Sequence, residues 1–120
     1  MAIRGIRGAT SIAIDSKEVM EEAVVELLSE ILKRNGLVEG DLVSILFTAT
    51  PDIKSEFPAS AARKVGLSDT PLICAQELDI AGALPRTIRV LLHAESAKSK
   101  GEIEHVYLRE ASALRKDLKR

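Results

Sequence analysis

Two arginines occupy strand-like positions where a folded core ordinarily takes aliphatic side chains. Arg7 lies in Ile3-Arg4-Gly5-Ile6-Arg7-Gly8-Ala9-Thr10, and Arg89 in Thr87-Ile88-Arg89-Val90-Leu91-Leu92. Side chains alternate between the faces of a strand, so Arg7 shares its face with Ile3, Gly5 and Ala9. These small neighbours leave a hollow around the guanidinium. A buried cation is costly unless it is paired and hydrogen-bonded. Two of them suit an anionic ligand with oxygens to share, above all a carboxylate. An ion pair within the chain would satisfy either arginine equally well.

Other residues extend this inventory. Glu77 follows Cys74-Ala75-Gln76 at a strand end, where it can accept from a ligand hydroxyl, neutralise Arg89, or do both. Cys74 has no base near it in sequence to activate a nucleophile, and reads first as a small packing residue. Tyr107, in His105-Val106-Tyr107-Leu108-Arg109, carries a hydroxyl able to donate to a carboxylate; its ring also suits a core poor in aromatics. Phe57 either walls an apolar pocket or staples a short helix. One Cys and two His at these spacings make no zinc site. There is no phosphate loop, dinucleotide fingerprint or nucleophile elbow.

Positioning these groups falls to a small set of elements. Ala2 to about Thr10 is expected as a strand. Asp15 reads as a helix N-cap with Glu18 as its capping-box partner. Met20, Ala23, Val24, Leu27, Leu28, Ile31 and Leu32 then form one apolar helix face, which Asn35-Gly36 ends. Leu42 to Thr50 reads as a second, largely buried strand. Phe57-Pro58 opens a short helix with Pro at its first position, running to Lys64 or Val65 and stopped by Gly66. Strands are expected over Pro71–Gln76, Arg86–Ala94 and Glu104–Arg109, with a polar loop from Ser96 to Gly101 and a turn of helix around Ala111–Leu114. The order β-α-β-α-β-β-β makes an α+β domain: a mixed sheet covered by one long helix. The face of the sheet left uncovered carries Arg7 and Arg89. Self-association into a closed symmetric oligomer is the simplest cover, and clefts then form where subunits meet.

The 120 residues fit one domain, 1–120. Apolar residues make up 46% and aromatics only 2% (Phe47, Phe57 and Tyr107), so the core must be aliphatic. Seventeen basic against eighteen acidic residues give a net charge of −1, which argues against non-specific nucleic-acid binding. The single Cys74 allows no internal disulfide. With no signal-peptide pattern at Met1 and no apolar run near membrane-spanning length, a cytoplasmic protein without membrane partners is expected.

Several blocks together resemble the monofunctional AroH-class chorismate mutases. They are Ile3 to Thr10, Thr48-Ala49-Thr50-Pro51-Asp52, Phe57-Pro58-Ala59, Cys74-Ala75-Gln76-Glu77, Ile88-Arg89-Val90, His105-Val106-Tyr107-Leu108 and Leu114-Arg115-Lys116-Asp117-Leu118. The blocks are collinear and span nearly the whole chain. The resemblance implies an α+β, ferredoxin-like subunit assembling as a trimeric pseudo-α/β-barrel, with active sites between subunits. The implied reaction is the [3,3] rearrangement of chorismate to prephenate, in phenylalanine and tyrosine biosynthesis, with no metal, cofactor, nucleophile or general acid.

That chemistry needs the two substrate carboxylates held so that the enolpyruvyl arm lies over the ring. It also needs a fixed cation beside the ether oxygen, where negative charge develops. Carried over by motif, Arg89 serves the ether oxygen, Arg7 and Tyr107 hold a carboxylate, and Glu77 accepts from the ring hydroxyl beside Cys74. Phe57, Ala59, Arg63 and Leu114 complete the pocket, at least partly from a neighbouring subunit, with Arg115 on a C-terminal turn. The pocket positions Ser60 and Ile73 depart from the family, which commonly has a lysine and a more polar residue there. Lys116 replaces a usual proline, and the loop before Pro71 is one residue shorter. Two other readings stand beside the mutase: a carboxylate-binding trimer without turnover, which the departure at Ser60 favours, and an imine or enamine deaminase on a similar trimeric fold.

Overall fold

The computed structural model describes residues 1–118, with side chains to Leu114. Strand β1 (Ala2–Ser11) leads into helix α1 (Lys17–Asn35), then strand β2 (Leu42–Ala49) and the short helix α2 (Ala59–Ala62). Strands β3 (Leu72–Gln76), β4 (Thr87–Ser96) and β5 (Val106–Tyr107) follow, and a 3₁₀ helix spans Arg109–Leu118. The five strands form one mixed sheet in the order β3-β2-β4-β1-β5. β4 is antiparallel to both β1 and β2, while β2–β3 and β1–β5 are parallel.

α1 covers one face of this sheet. The predicted apolar stripe is buried from Met20 to Ile31, and Leu32 packs at its margin. It meets Ile6, Ile45, Phe47, Ile88, Val90 and Leu92 in a single core. Gly8 sets the closeness of the helix to β1: a Cβ there would stand 2.7 Å from Ile31 Cδ1 and 2.9 Å from Val90 Cγ1. Gly36 ends α1 in the left-handed conformation (φ 63°), as the Asn-Gly pair predicts. Among the described residues no helix is long and apolar enough to cross a membrane.

Several boundaries differ from expectation, each for a local reason. The N-cap of α1 is Ser16, whose Oγ accepts from Val19 N–H at 3.2 Å. Asp15 instead accepts from the backbone of Lys54 and from the amide and hydroxyl of Ser55. Glu18 therefore stands one position short of a capping box. Pro58 precedes α2 with helical angles, and the helix tightens to a 3₁₀ turn over Arg63–Val65 before left-handed Gly66. β4 continues to Ser96, paired with Ala2. β5 is only two residues long. Asn35 takes the Glu104 backbone at its start, and Arg109 adopts φ 55° at its end, held by Glu22 and Glu26 of α1.

Candidate active site

The sheet register puts Arg7, Arg89, Tyr107 and Ile73 on the face that α1 leaves open. One row runs Ala75–Thr48–Arg89–Ala9–Tyr107 across all five strands. The next row runs Ile73–Leu46–Leu91–Arg7. Ala9 stands between Arg89 and Tyr107 in this row and is fully buried. Strand spacing puts the Arg89 and Tyr107 backbones roughly 9–10 Å apart, with Arg7 one row away. The burial expected for the two arginines is not found. Arg89 is exposed and Arg7 half-buried, because α1 does not cover this face.

Glu77 follows β3 immediately and is tied to β2 by its own amide, which donates to Ala49 O at 2.9 Å. Its carboxylate turns over the open face. Oε2 accepts from the Thr48 hydroxyl and lies 3.3 Å from Arg89 Nε. The Arg89 side chain is 48% exposed and that of Glu77 20%. Binding Arg89 through Nε leaves its terminal nitrogens to point elsewhere, with the guanidinium plane fixed by the carboxylate. Both roles weighed for Glu77 are thus compatible, since a carboxylate has acceptor capacity beyond one arginine.

The remaining predicted residues gather at the other edge of the sheet. Phe57, 70% exposed, and Cys74 line a groove of about 370 Å³ with Ala49, Ala75 and Gln76. Cys74 pairs across from Phe47 and packs against the core, in keeping with a packing thiol. Ile73 is exposed on the open face of β3. Ala59 and Ser60 are half-buried on α2, and Arg63 is exposed one turn beyond Ser60. Arg7, Arg89, Glu77 and Tyr107 do not line that groove. Leu114, half-buried, sits on the terminal 3₁₀ helix, which packs against β1 and β5 and so belongs to the Tyr107 edge. The side chain of Arg115 lies outside the described residues.

Four contributors escape sequence reasoning. Thr48 supports Glu77, and its place opposite Arg89 becomes visible only with the strand register. His105 accepts from the Arg7 amide. Asp15 pins the loop that carries Phe57, and its carboxyl is held below the usual range chiefly by the Ser55 hydroxyl, helped by the Lys54 and Ser55 amides. Asp52 joins the ends of β2 and β4. Burial pushes its carboxyl upward, but bonds from the Thr50 hydroxyl and the Arg86 amide outweigh this and leave it lowered. Among the described residues no three His, Cys, Asp or Glu side chains lie together as a metal site.

A family model of chorismate mutase type I matches residues 3–118. This chain belongs to the type I chorismate mutase family. Chorismate mutase AroH of Thermus thermophilus is 44% identical over 117 residues, covering 97% of this chain and 96% of that protein. Chorismate mutase AroH of Bacillus subtilis (strain 168) is 40% identical over 119 residues, covering 98% and 94%. Among solved structures, a chorismate mutase from Clostridium thermocellum superposes with a TM-score of 0.89 at 41% identity, over 91% of this chain and 97% of that one. The type I mutase fold is therefore built here from the five-stranded sheet and its single covering helix.

Proposed function

We infer that this protein converts chorismate to prephenate within its own substrate molecule, breaking the ether carbon–oxygen bond while a carbon–carbon bond forms. The observation that carries the reading is the open-face cluster. Arg89 is oriented by Glu77 and Thr48, with Arg7 and Tyr107 on neighbouring strands of the same face. Arg7 and Tyr107 hold a substrate carboxylate and keep the enolpyruvyl arm over the ring, which removes rotational freedom from the barrier. Glu77 accepts the ring hydroxyl. The free nitrogens of Arg89 meet the ether oxygen, whose negative charge grows only as the bond breaks, so the cation favours the transition state over the ground state.

The site is completed by a second copy of the chain. Cys74 on β3 and Tyr107 on β5 lie at opposite sheet edges, four strand spacings or roughly 19 Å apart. A single-ring dicarboxylate does not span that distance. Placing the β3 edge of one subunit, with Phe57, Ala59, Ser60, Arg63, Ile73 and Cys74, over the open face of the next supplies the missing wall. This is a head-to-tail contact, and closure into a ring gives the homotrimer with one site at each boundary. Leu114 borders the pocket from the C-terminal segment.

The test is chorismate loss and prephenate formation by the purified chain without added metal or cofactor. Conversion far above the uncatalysed rate, abolished in Arg89→Ala, is expected. A folded assembly that binds chorismate without converting it would refute the reading and make Ser60→Lys the next variant.

A further inference from the structure

The backbone amide of Arg7 is not taken up by a neighbouring carbonyl. It donates to Nδ1 of His105 at 2.9 Å. β1 and β5 run parallel, with Gly8 beside Val106 and Ala9 beside Tyr107, and Leu108 N–H donates to Ala9 O at 2.9 Å. Continued one step back, this ladder would offer the Arg7 amide the carbonyl of Glu104. That carbonyl is turned instead to the side-chain amide of Asn35, at 2.9 Å. The Asn35 side-chain oxygen accepts the Glu104 N–H, also at 2.9 Å. Asn35 is buried at the end of α1 and donates as well to Ile31 O. Residue 104 is thus held by the helix, and the imidazole of the next residue stands where a ladder carbonyl would be.

We propose that His105 is a positioning residue for the substrate-carboxylate clamp. In the tautomer with its proton on Nε2, its Nδ1 holds the Arg7 amide and fixes the strand segment from which Arg7 projects. The proposal rests on the reading that Arg7 and Tyr107 hold a substrate carboxylate. His105 lies two residues before Tyr107, so one ring sets the spacing between the two arms of the clamp. A neutral imidazole has a single accepting nitrogen, and the bond to Arg7 decides which one it is. Losing that acceptor leaves the Arg7 amide unpaired and lets β1 and β5 part at this point. The clamp selects the reactive conformer as the substrate binds, so its entropy is settled on binding and the hold persists in ground and transition states alike; the loss therefore belongs to KM rather than kcat.

The experiment compares the full chain with His105→Asn, His105→Gln and His105→Phe. Asn places its side-chain oxygen near the position of Nδ1, Gln displaces it by one methylene, and Phe keeps the ring without an acceptor. The Phe and Gln variants are expected to raise KM for chorismate about tenfold, the effect of one lost hydrogen bond, while kcat moves less than about threefold. Asn is expected to restore KM to within about threefold of the parent, because the acceptor is back in place. Nitrogen-15 spectra of the parent imidazole, which need no substrate, are expected to show the proton on Nε2. Equal KM in all four proteins, a loss in Asn matching that in Phe, or a parent imidazole protonated on Nδ1 would each overturn the proposal. If Phe does not fold, the Gln–Asn pair and the parent spectrum decide. A parent that does not turn over chorismate refutes the functional reading instead, and the spectrum still reports on the His105–Arg7 bond.

Discussion

Replacing Arg89 tests the electrostatic core of the mechanism. Its Nε is engaged by Glu77 at 3.3 Å, so the guanidinium reaches the substrate through its terminal nitrogens in a fixed plane. Half a unit of charge on the ether oxygen, met by this cation at about 3 Å with an effective dielectric near 20, is worth roughly 3 kcal/mol. That corresponds to about 10²-fold in rate, and losses of 10²–10³ are typical for one oxyanion donor. Arg89→Ala is therefore expected to lose at least about 10²-fold in kcat, followed by chorismate consumption under saturating substrate. Arg89→Lys should not rescue it. An ammonium is a single point charge, and the Glu77 carboxylate beside it draws it away from the substrate. Circular dichroism and thermal melting establish that the variants fold. Activity of folded Arg89→Ala within tenfold of the parent would refute the assignment.

Three further outcomes follow from the geometry. Gly8→Ala forces a methyl against Ile31 and Val90; overpacking of this kind costs about 1–3 kcal/mol, read as a fall in Tm of several degrees, and an unchanged Tm would contradict the close α1–β1 contact. Asp52→Asn tests the lowered carboxyl. A depressed folded-state pKa stabilises above the unfolded value near 4 and loses that contribution as pH falls through the folded value. The variant should thus be less stable at pH 7 by about 1 kcal/mol or less, since the group is exposed, and the gap should close in acid; a gap that persists at the lowest pH would count against it. Finally, Arg7→Ala and Arg63→Ala carry their defects on opposite halves of the site. Each alone should be weak, and 1:1 co-assembly should recover about a quarter of the parent activity, because random pairing in a ring leaves that share of boundaries intact. No recovery on mixing would place the whole site within one chain.

The sequence made the element order and the core legible because both follow from short-range periodicity. The α1 stripe repeats at helical spacing, and Asn35-Gly36 carries its own stop signal. What it could not reveal depends on partners distant in the chain. Asp15 has every local property of an N-cap, yet its carboxylate is engaged by Ser55, forty residues away, and Ser16 caps instead. Val106–Tyr107 is shorter than its β-rich context suggests because Asn35 holds residue 104. For the site, alternation alone put Arg7 on the open face, and Arg89 follows from the register of β1 against β4. The expected burial of both failed because strand patterning reports which face a residue occupies and not what covers that face. Thr48 and His105 carry no local signature at all; each bonds to a residue already recognised, Glu77 and Arg7 respectively.

That missing cover has a chemical consequence. With half of its side chain in water, the Arg89 of a lone chain acts in a high dielectric, where a charge pair at 4 Å is worth about 1 kcal/mol. At an effective dielectric near 20 the same pair is worth about 4 kcal/mol. The apolar surface that would lower the dielectric, Phe57 beside the Cys74 groove, lies on the β3 side of the same chain, and Arg89 on the central strand does not line it. In the proposed assembly a neighbouring copy supplies that cover, which would make assembly part of catalysis. Arg89 is already held by Glu77 and Thr48, and the Phe57 loop by Asp15, so in the proposed assembly docking copies need only exclude water to bring the electrostatics to working strength. The open sheet face and its exposed Arg89, a liability in a monomer, are in the proposed assembly the cost of a site that two subunits close together.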